Sequence, residues 1–249
     1  MATAGVPAPS APRLGSSRSE NQRYAYRRFG NSRGLPCSAL QHFTGTLDNW
    51  DPGVRTPSRW GARVILFDNA GVGRSTGEVP NTVAGMAQHA MAFLDGLGLT
   101  TCDVLGFSLG GMIAQQIGAG AFVSISQDDP GGHRSTRRPG HHAPGNPVSP
   151  GTSGSGAQRV RRPGQDLLCS NSIEPGGGEQ FVERLSQRKT DREPASGPAV
   201  AQAQIAAFRE WEQFSGDRLS SLRSIRQPTL VVNGIHDQMI PVANSYFAW

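Results

Sequence analysis

The sequence predicts an α/β protein built as a doubly wound, mostly parallel sheet, and three observations predict it. Short buried-strand runs alternate with stretches of helical apolar spacing, an order that calls for parallel neighbours joined by right-handed crossovers. A glycine-flanked serine, Gly106-Phe107-Ser108-Leu109-Gly110, sits at the junction of one strand with one helix. The chain of 249 residues is long enough for one such domain with an ordinary core.

Tyr24 to Phe29 suits a strand or hairpin arm, and Pro36 to His42 a short second strand. The run Arg63-Val64-Ile65-Leu66-Phe67-Asp68 carries a strong buried-strand pattern, closed by the turn Asn69-Ala70-Gly71. A helix opens near Asn81 or Thr82. Val83, Met86, Ala87, Ala90, Phe93, Leu94 and Leu97 recur on one face, and Gly98 breaks it. Cys102 to Phe107 is a further strand, and Ser108 to Ile117 a further helix. Late in the chain, Phe181, Val182 and Leu185 suit one helix, and a second begins near Pro198 and carries Ile205, Phe208 and Trp211. Thr229 to Asn233 is expected as a last buried strand. Pro241 opens a final helix at the position where its missing N–H costs nothing.

The organisation expected is a disordered tail over 1–22, rich in Ala, Pro, Ser and Gly, then core over 23–126. An unpatterned segment follows over 127–178, lid-like helices over 179–220, and the last part of the core over 221–249. From Gln127 to Gln165 there is no Leu, Ile, Met, Phe, Trp or Tyr. Such a stretch cannot bury enough apolar surface to offset its own ordering entropy. GC-rich coding DNA read out of frame, with the frame restored near Glu179, gives this mixture; retained intron sequence or a mispredicted gene would look similar, and a genuine disordered insertion is the alternative. A sixth core strand is therefore in doubt. The same segment holds six arginines against two aspartates, while the whole chain carries +5. The remainder is close to neutral, so the basic balance argues little for nucleic-acid binding. A nucleic-acid binder working through these arginines remains a rival reading, testable by its salt dependence.

Three cysteines (Cys37, Cys102, Cys169) lack metal-like spacing and fit reduced thiols in a cytoplasmic protein. No apolar run reaches the roughly 20 residues that a membrane span needs. No sequence feature argues for a dimer.

The chemistry concentrates at Ser108. Glycines two residues either side of a serine permit a tight turn that lifts the hydroxyl clear of the sheet at a helix N-terminus, where free N–H groups favour a developing anion. The competing pattern, Gly71-x-Gly73 with Gly77, has the wrong spacing for a dinucleotide fingerprint, and its helix starts too late. His141-His142 has no carboxylate or cysteine support as a metal site.

Taken with its flanking motifs, the chain resembles the α/β-hydrolase fold family, close to its haloperoxidase-like and lactonase-like esterases. The resemblance rests on the serine turn and on Gln41-His42-Phe43-Thr44-Gly45 with Asp48-Asn49-Trp50, similar to the family's oxyanion loop. It rests also on Asp68-Asn69-Ala70-Gly71-Val72-Gly73-Arg74-Ser75, where Ala70 replaces the family's usual arginine, and on Asn233-Gly234-Ile235-His236-Asp237, similar to the loop that carries the triad acid. It covers roughly residues 22–118 and 179–249. By resemblance, Ser108 is the nucleophile, Asp237 the acid, and the backbone N–H groups of Phe43 and Leu109 the oxyanion donors. The substrate implied is a small molecule with an ester, lactone or related acyl bond, and no metal or organic cofactor is implied.

The resemblance also implies a histidine on a loop after an eighth strand, downstream of the acid. Twelve residues follow Asp237 and none is histidine, so the sequence reads as C-terminally truncated, without that strand. His236 adjoins Asp237, His42 lies in the oxyanion loop, His89 on the helix after Asp68, and His133, His141 and His142 in the unpatterned segment. The expectation is a hydrolase of weak or no activity, with a catalytically dead small-molecule binder as the alternative.

Overall fold

The computed structural model describes residues 14–19, 22–30, 34–52, 63–119, 177–213, 219–234, 237 and 239–246. Five strands are described: β1 (Leu14–Ser19), β2 (Gln22–Phe29), β3 (Cys37–Leu40), β4 (Val64–Phe67) and β5 (Asp103–Gly106). The helices are α1 (Val83–Gly96), α2 (Leu109–Ala119), α3 (Gly177–Leu185), α4 (Pro198–Glu212), α5 (Ser220–Arg223) and α6 (Ala243–Tyr246).

All four residues of β4 are buried, because successive side chains leave the pleat on opposite faces and both faces are covered. Ile65 and Phe67 enter a layer with Tyr24, Leu40, Val83, Met86, Phe93, Leu109 and Ile113, which Ala207 and Trp211 of α4 also join. Val64 and Leu66 enter a second layer with Ala25, Ala39, Leu47 and Trp50. The helical stripe expected for α1 is the stripe that is buried, with Phe93 stacked on Phe67 at 4.3 Å between centroids. Thr82 caps α1 by accepting the Gly85 N–H at 3.0 Å.

The sheet order is β1-β2-β4-β3-β5. β3 runs parallel to both neighbours, with Cys37 opposite Val64 and Asp103. This is the doubly wound part, and it brings the carboxyl ends of β3 and β5 side by side. β2 lies antiparallel to β4 and to β1, so the sheet as a whole is mixed.

Two expectations are corrected. Residues 14–19, assigned on composition to a disordered tail, form β1, paired from Leu14 opposite Arg27 to Ser19 opposite Gln22. Composition hid this because a two-stranded edge draws its order from ladder hydrogen bonds, which polar residues supply as well as apolar ones. Residues Thr229 to Asn233 are not in a strand, and Leu230 and Val232 are 85% and 83% exposed. The described sheet stops at β5, and among the described residues this run pairs with no strand. The unpatterned segment lies largely outside the described residues.

Candidate active site

β5 runs into Phe107 and Ser108, and α2 starts at Leu109. Ser108 holds φ 55°, the left-handed region that side-chain-bearing residues enter at a cost of roughly 1–2 kcal/mol. The turn is fixed by its own backbone: the Gly110 N–H donates to Phe107 O at 2.9 Å and the Gly111 N–H to Ser108 O at 2.7 Å. Neither flanking glycine can be replaced freely. A Cβ on Gly106 would run into the Gly110 carbonyl, and one on Gly110 into the Leu40 carbonyl at the end of β3. The turn therefore presents a half-buried serine at the first turn of a helix.

The neighbouring loop follows β3. The Gly45 N–H donates to His42 O at 2.9 Å, closing a β-turn over residues 42–45 in which Thr44 has φ 55°. His42 Nδ1 lies 2.9 Å from Phe43 O. A carbonyl only accepts, so Nδ1 carries a proton. Desolvation lowers the His42 pKa below the ordinary value, with the bond to Phe43 opposing. Its Nε2 faces Gly45, where an added Cβ would stand 3.0 Å away. The His42 ring meets Phe107 edge-on at 5.6 Å, and Trp50 lies 6.3 Å from Phe107. Phe43 lies 5.6 Å from Phe208 of α4. An aromatic wall thus stands between the loop and the serine turn. Leu109 is the first residue of α2, so its N–H has no intrahelical acceptor.

Asp237 is exposed. Its Oδ1 accepts the N–H groups of Met239 and Ile240, both at 2.9 Å, and so braces its own loop. Among the described residues it shares no hydrogen bond with Ser108 or with a histidine. His89 is engaged elsewhere, its Nδ1 2.6 Å from the Tyr24 hydroxyl, and burial lowers its pKa. His133, His141, His142 and His236 lie outside the described residues. The fold therefore brings Phe107 of the serine turn against His42 of the 42–45 turn, and among the described residues no histidine hydrogen-bonds to Ser108.

Sequence reasoning missed a buried charge cluster behind the loop. The fully buried Arg27 guanidinium donates to Asp48 Oδ1 at 2.6 Å and Glu193 Oε1 at 3.0 Å. The Glu193 N–H donates to Asp48 Oδ2 at 2.7 Å, and Arg74 pairs with Asp191 at 2.6 Å. After burial itself, the charge of Glu193 also raises the pKa of Asp68. A second omission is Gln204, 1% exposed, whose Oε1 accepts the Thr44 N–H at 2.6 Å. The available signal was a polar residue inside the stripe Val200, Gln204, Ala207, Trp211. Glu193 has no such signal, since its neighbours are all polar, proline or small. Among the described residues no group of three or more His, Cys, Asp or Glu could hold a metal ion, and no helix is long and apolar enough to cross a membrane.

Residues 42–120 match the family described as alpha/beta hydrolase fold. An alpha/beta hydrolase fold protein from Chitinophaga pinensis superposes with a TM-score of 0.71 at 28% identity, over 96% of this chain and 85% of that one. The dihydrolipoyllysine-residue acetyltransferase component of the acetoin cleaving system of Cupriavidus necator is 27% identical over 210 residues, 83% of this chain. The chain spans about half of that protein's length, 53%. RutD of Pseudomonas savastanoi pv. phaseolicola is 36% identical over 56 residues, 22% of each chain.

Proposed function

Because this chain belongs to the alpha/beta hydrolase fold family, we propose that its site is laid out for attack by Ser108 on an ester, lactone or related acyl carbon of a small molecule. The observation that carries this is the strained serine, held at φ 55° between two glycines that backbone contact makes obligatory. Strain of this kind persists where the surroundings over-determine it, and functional sites are where it clusters. Ser108 Oγ bonds to the acyl carbon, the carbonyl electron pair moves to oxygen, and the N–H groups of Phe43 and Leu109 receive that oxyanion. Collapse breaks the bond to the leaving oxygen and expels an alkoxide, which takes up the proton that Ser108 Oγ gave up; water then releases the acid from the acyl-serine and returns a proton to Oγ. Asp237 would orient a base, and no cofactor is assigned. Cys37 and Cys102, buried and unpaired, suit the cytoplasmic location that belongs to the same proposal.

Proton acceptance limits the rate. Residues 1–249 hold no histidine after His236, and among the described residues neither His42, whose Nδ1 lies against Phe43 O, nor His89, whose Nδ1 lies against the Tyr24 hydroxyl, hydrogen-bonds to Ser108. In serine proteases the loss of a triad member leaves about 10³–10⁴-fold acceleration over water, supplied by the oxyanion donors and binding. Weak turnover of an activated ester is therefore expected. With solvent water taking its proton, Ser108 still attacks an activated ester, so Ser108→Ala should lower the p-nitrophenyl acetate rate at least about tenfold, toward the level that the oxyanion donors and binding supply alone. Equal rates for parent and variant would overturn the nucleophile, and turnover matching a full triad would overturn the weak-activity reading.

A second reading, ligand binding without chemistry, is favoured by Ser108 Oγ having no hydrogen-bond acceptor among the described residues. Saturable binding of a small ester to a chain that a fluorophosphonate does not label would select it.

A further inference from the structure

We infer that Gln204 of α4 is a positioning residue that holds the 42–45 turn in the form able to receive an acyl oxygen. This rests on the reading of Phe43 given above.

The turn closes through the Gly45 N–H to His42 O, and its third residue has positive φ while its second does not. That is the type II pattern, whose third position ordinarily belongs to glycine. Here it is Thr44, a β-branched residue for which positive φ is a genuine outlier. Threonine would relax to a turn with negative φ unless something outside the turn opposed it. Two side chains do. Gln204 Oε1 accepts the Thr44 N–H at 2.6 Å, and the Ser196 hydroxyl donates to Thr44 O at 2.8 Å. The His42 Nδ1–H bond to Phe43 O restrains the same peptide from its other end.

The direction of the Phe43 N–H follows. The His42 carbonyl points into the turn toward Gly45, and a trans peptide sets its N–H opposite its carbonyl. The Phe43 N–H therefore points out of the turn. Flipping Thr44 to negative φ would reorient the chain that carries this donor. Gln204 thus acts through Thr44. Its Nε2 is buried without a hydrogen-bond partner among the described residues, so the amide's one described bond is the one to the turn.

Gln204→Met keeps nearly the same volume and removes that acceptor together with the unpartnered Nε2. Adding Thr44→Gly restores, at no conformational cost, the φ that the bond maintains. Two readouts are needed on the intact chain: amide hydrogen exchange at Phe43 and Thr44, and the Ser108-dependent rate with p-nitrophenyl acetate. Gln204→Met should speed Thr44 exchange at least about tenfold. It should lower the Ser108-dependent rate about tenfold, less than the 10²–10³ lost with a whole oxyanion donor. KM should stay unchanged, and the double variant should recover the rate. Unchanged Thr44 exchange in Gln204→Met overturns the inference. So does faster exchange with an unchanged Ser108-dependent rate, or a double variant no faster than Gln204→Met. If Ser108→Ala leaves the parent's rate intact, the reading of Ser108 fails separately, and exchange alone then decides whether Gln204 holds the turn. Should Gln204→Met not fold, Ser196→Ala carries the same expectations at the other end of Thr44.

Discussion

At the scale of single residues, the site depends on side chains held in costly states. Asp68 is fully buried, and its carboxyl is pushed up to about 8, first by burial and then by the Glu193 carboxylate, against the Leu47 and Arg74 N–H groups. Its folded value lies above the ordinary 3.8, so the fold favours the protonated acid. That contribution is complete at acid pH and is lost as pH rises through about 8. Glu193 faces it and is also raised by burial, with Arg27 and Arg74 opposing. The melting temperature should therefore fall between pH 6 and pH 9. Asp68→Asn, which keeps the neutral shape, should flatten that slope. Parallel slopes for parent and variant would refute the assignment. Little at this scale was legible in the sequence. Asp68 and Asp48 stood in recognisable motifs, but their partners Glu193 and Arg27 lie 125 and 21 residues away respectively. Only the fold brings such distant charges together.

Elements were easier to foresee, because apolar periodicity is a local signal. β4, α1 and the β5–α2 turn stand where spacing and glycines place them. The turn makes a sharp prediction about two adjacent glycines. Gly110→Ala drives a methyl into the Leu40 carbonyl and should cost about 1–3 kcal/mol in denaturant unfolding. At Gly111→Ala the nearest atom is 3.7 Å from the new methyl, so the variant should match the parent or gain up to about 1 kcal/mol from helix propensity. Equal stability of the two variants would contradict the close approach of α2 to β3. The run from Thr229 to Asn233 failed for an equally physical reason. A strand is a pairing as well as a pattern, and apolar residues without a described neighbouring ladder stay exposed.

For the whole molecule, the stretch between α3 and α4 is joined to the core mainly through charge. Arg184 clasps Asp51 with Nε and Nη2, Arg74 grips Asp191, and Arg27 at the centre holds Asp48 and Glu193. Arg27→Met should destabilise the protein by about 3–5 kcal/mol, since it leaves two buried carboxylates facing each other with only the longer contacts of Arg188 to Asp48 at 3.4 Å and Arg74 to Glu193 at 3.8 Å. Calorimetry at neutral pH checks this, and a change below about 1 kcal/mol would show that the cluster relaxes or takes up protons instead.

These clasps are not equally sheltered. Arg74 and Arg184 keep a third or more of their side-chain surface in water, whereas Arg27 keeps none. Dissolved ions weaken the outer grips and barely reach the inner one. Raising ionic strength should thus loosen the grips at Asp51 and Asp191 long before it frees residues 188 and 193 from the buried Asp48 and Arg27, like a door that slips its latches while still on its hinge.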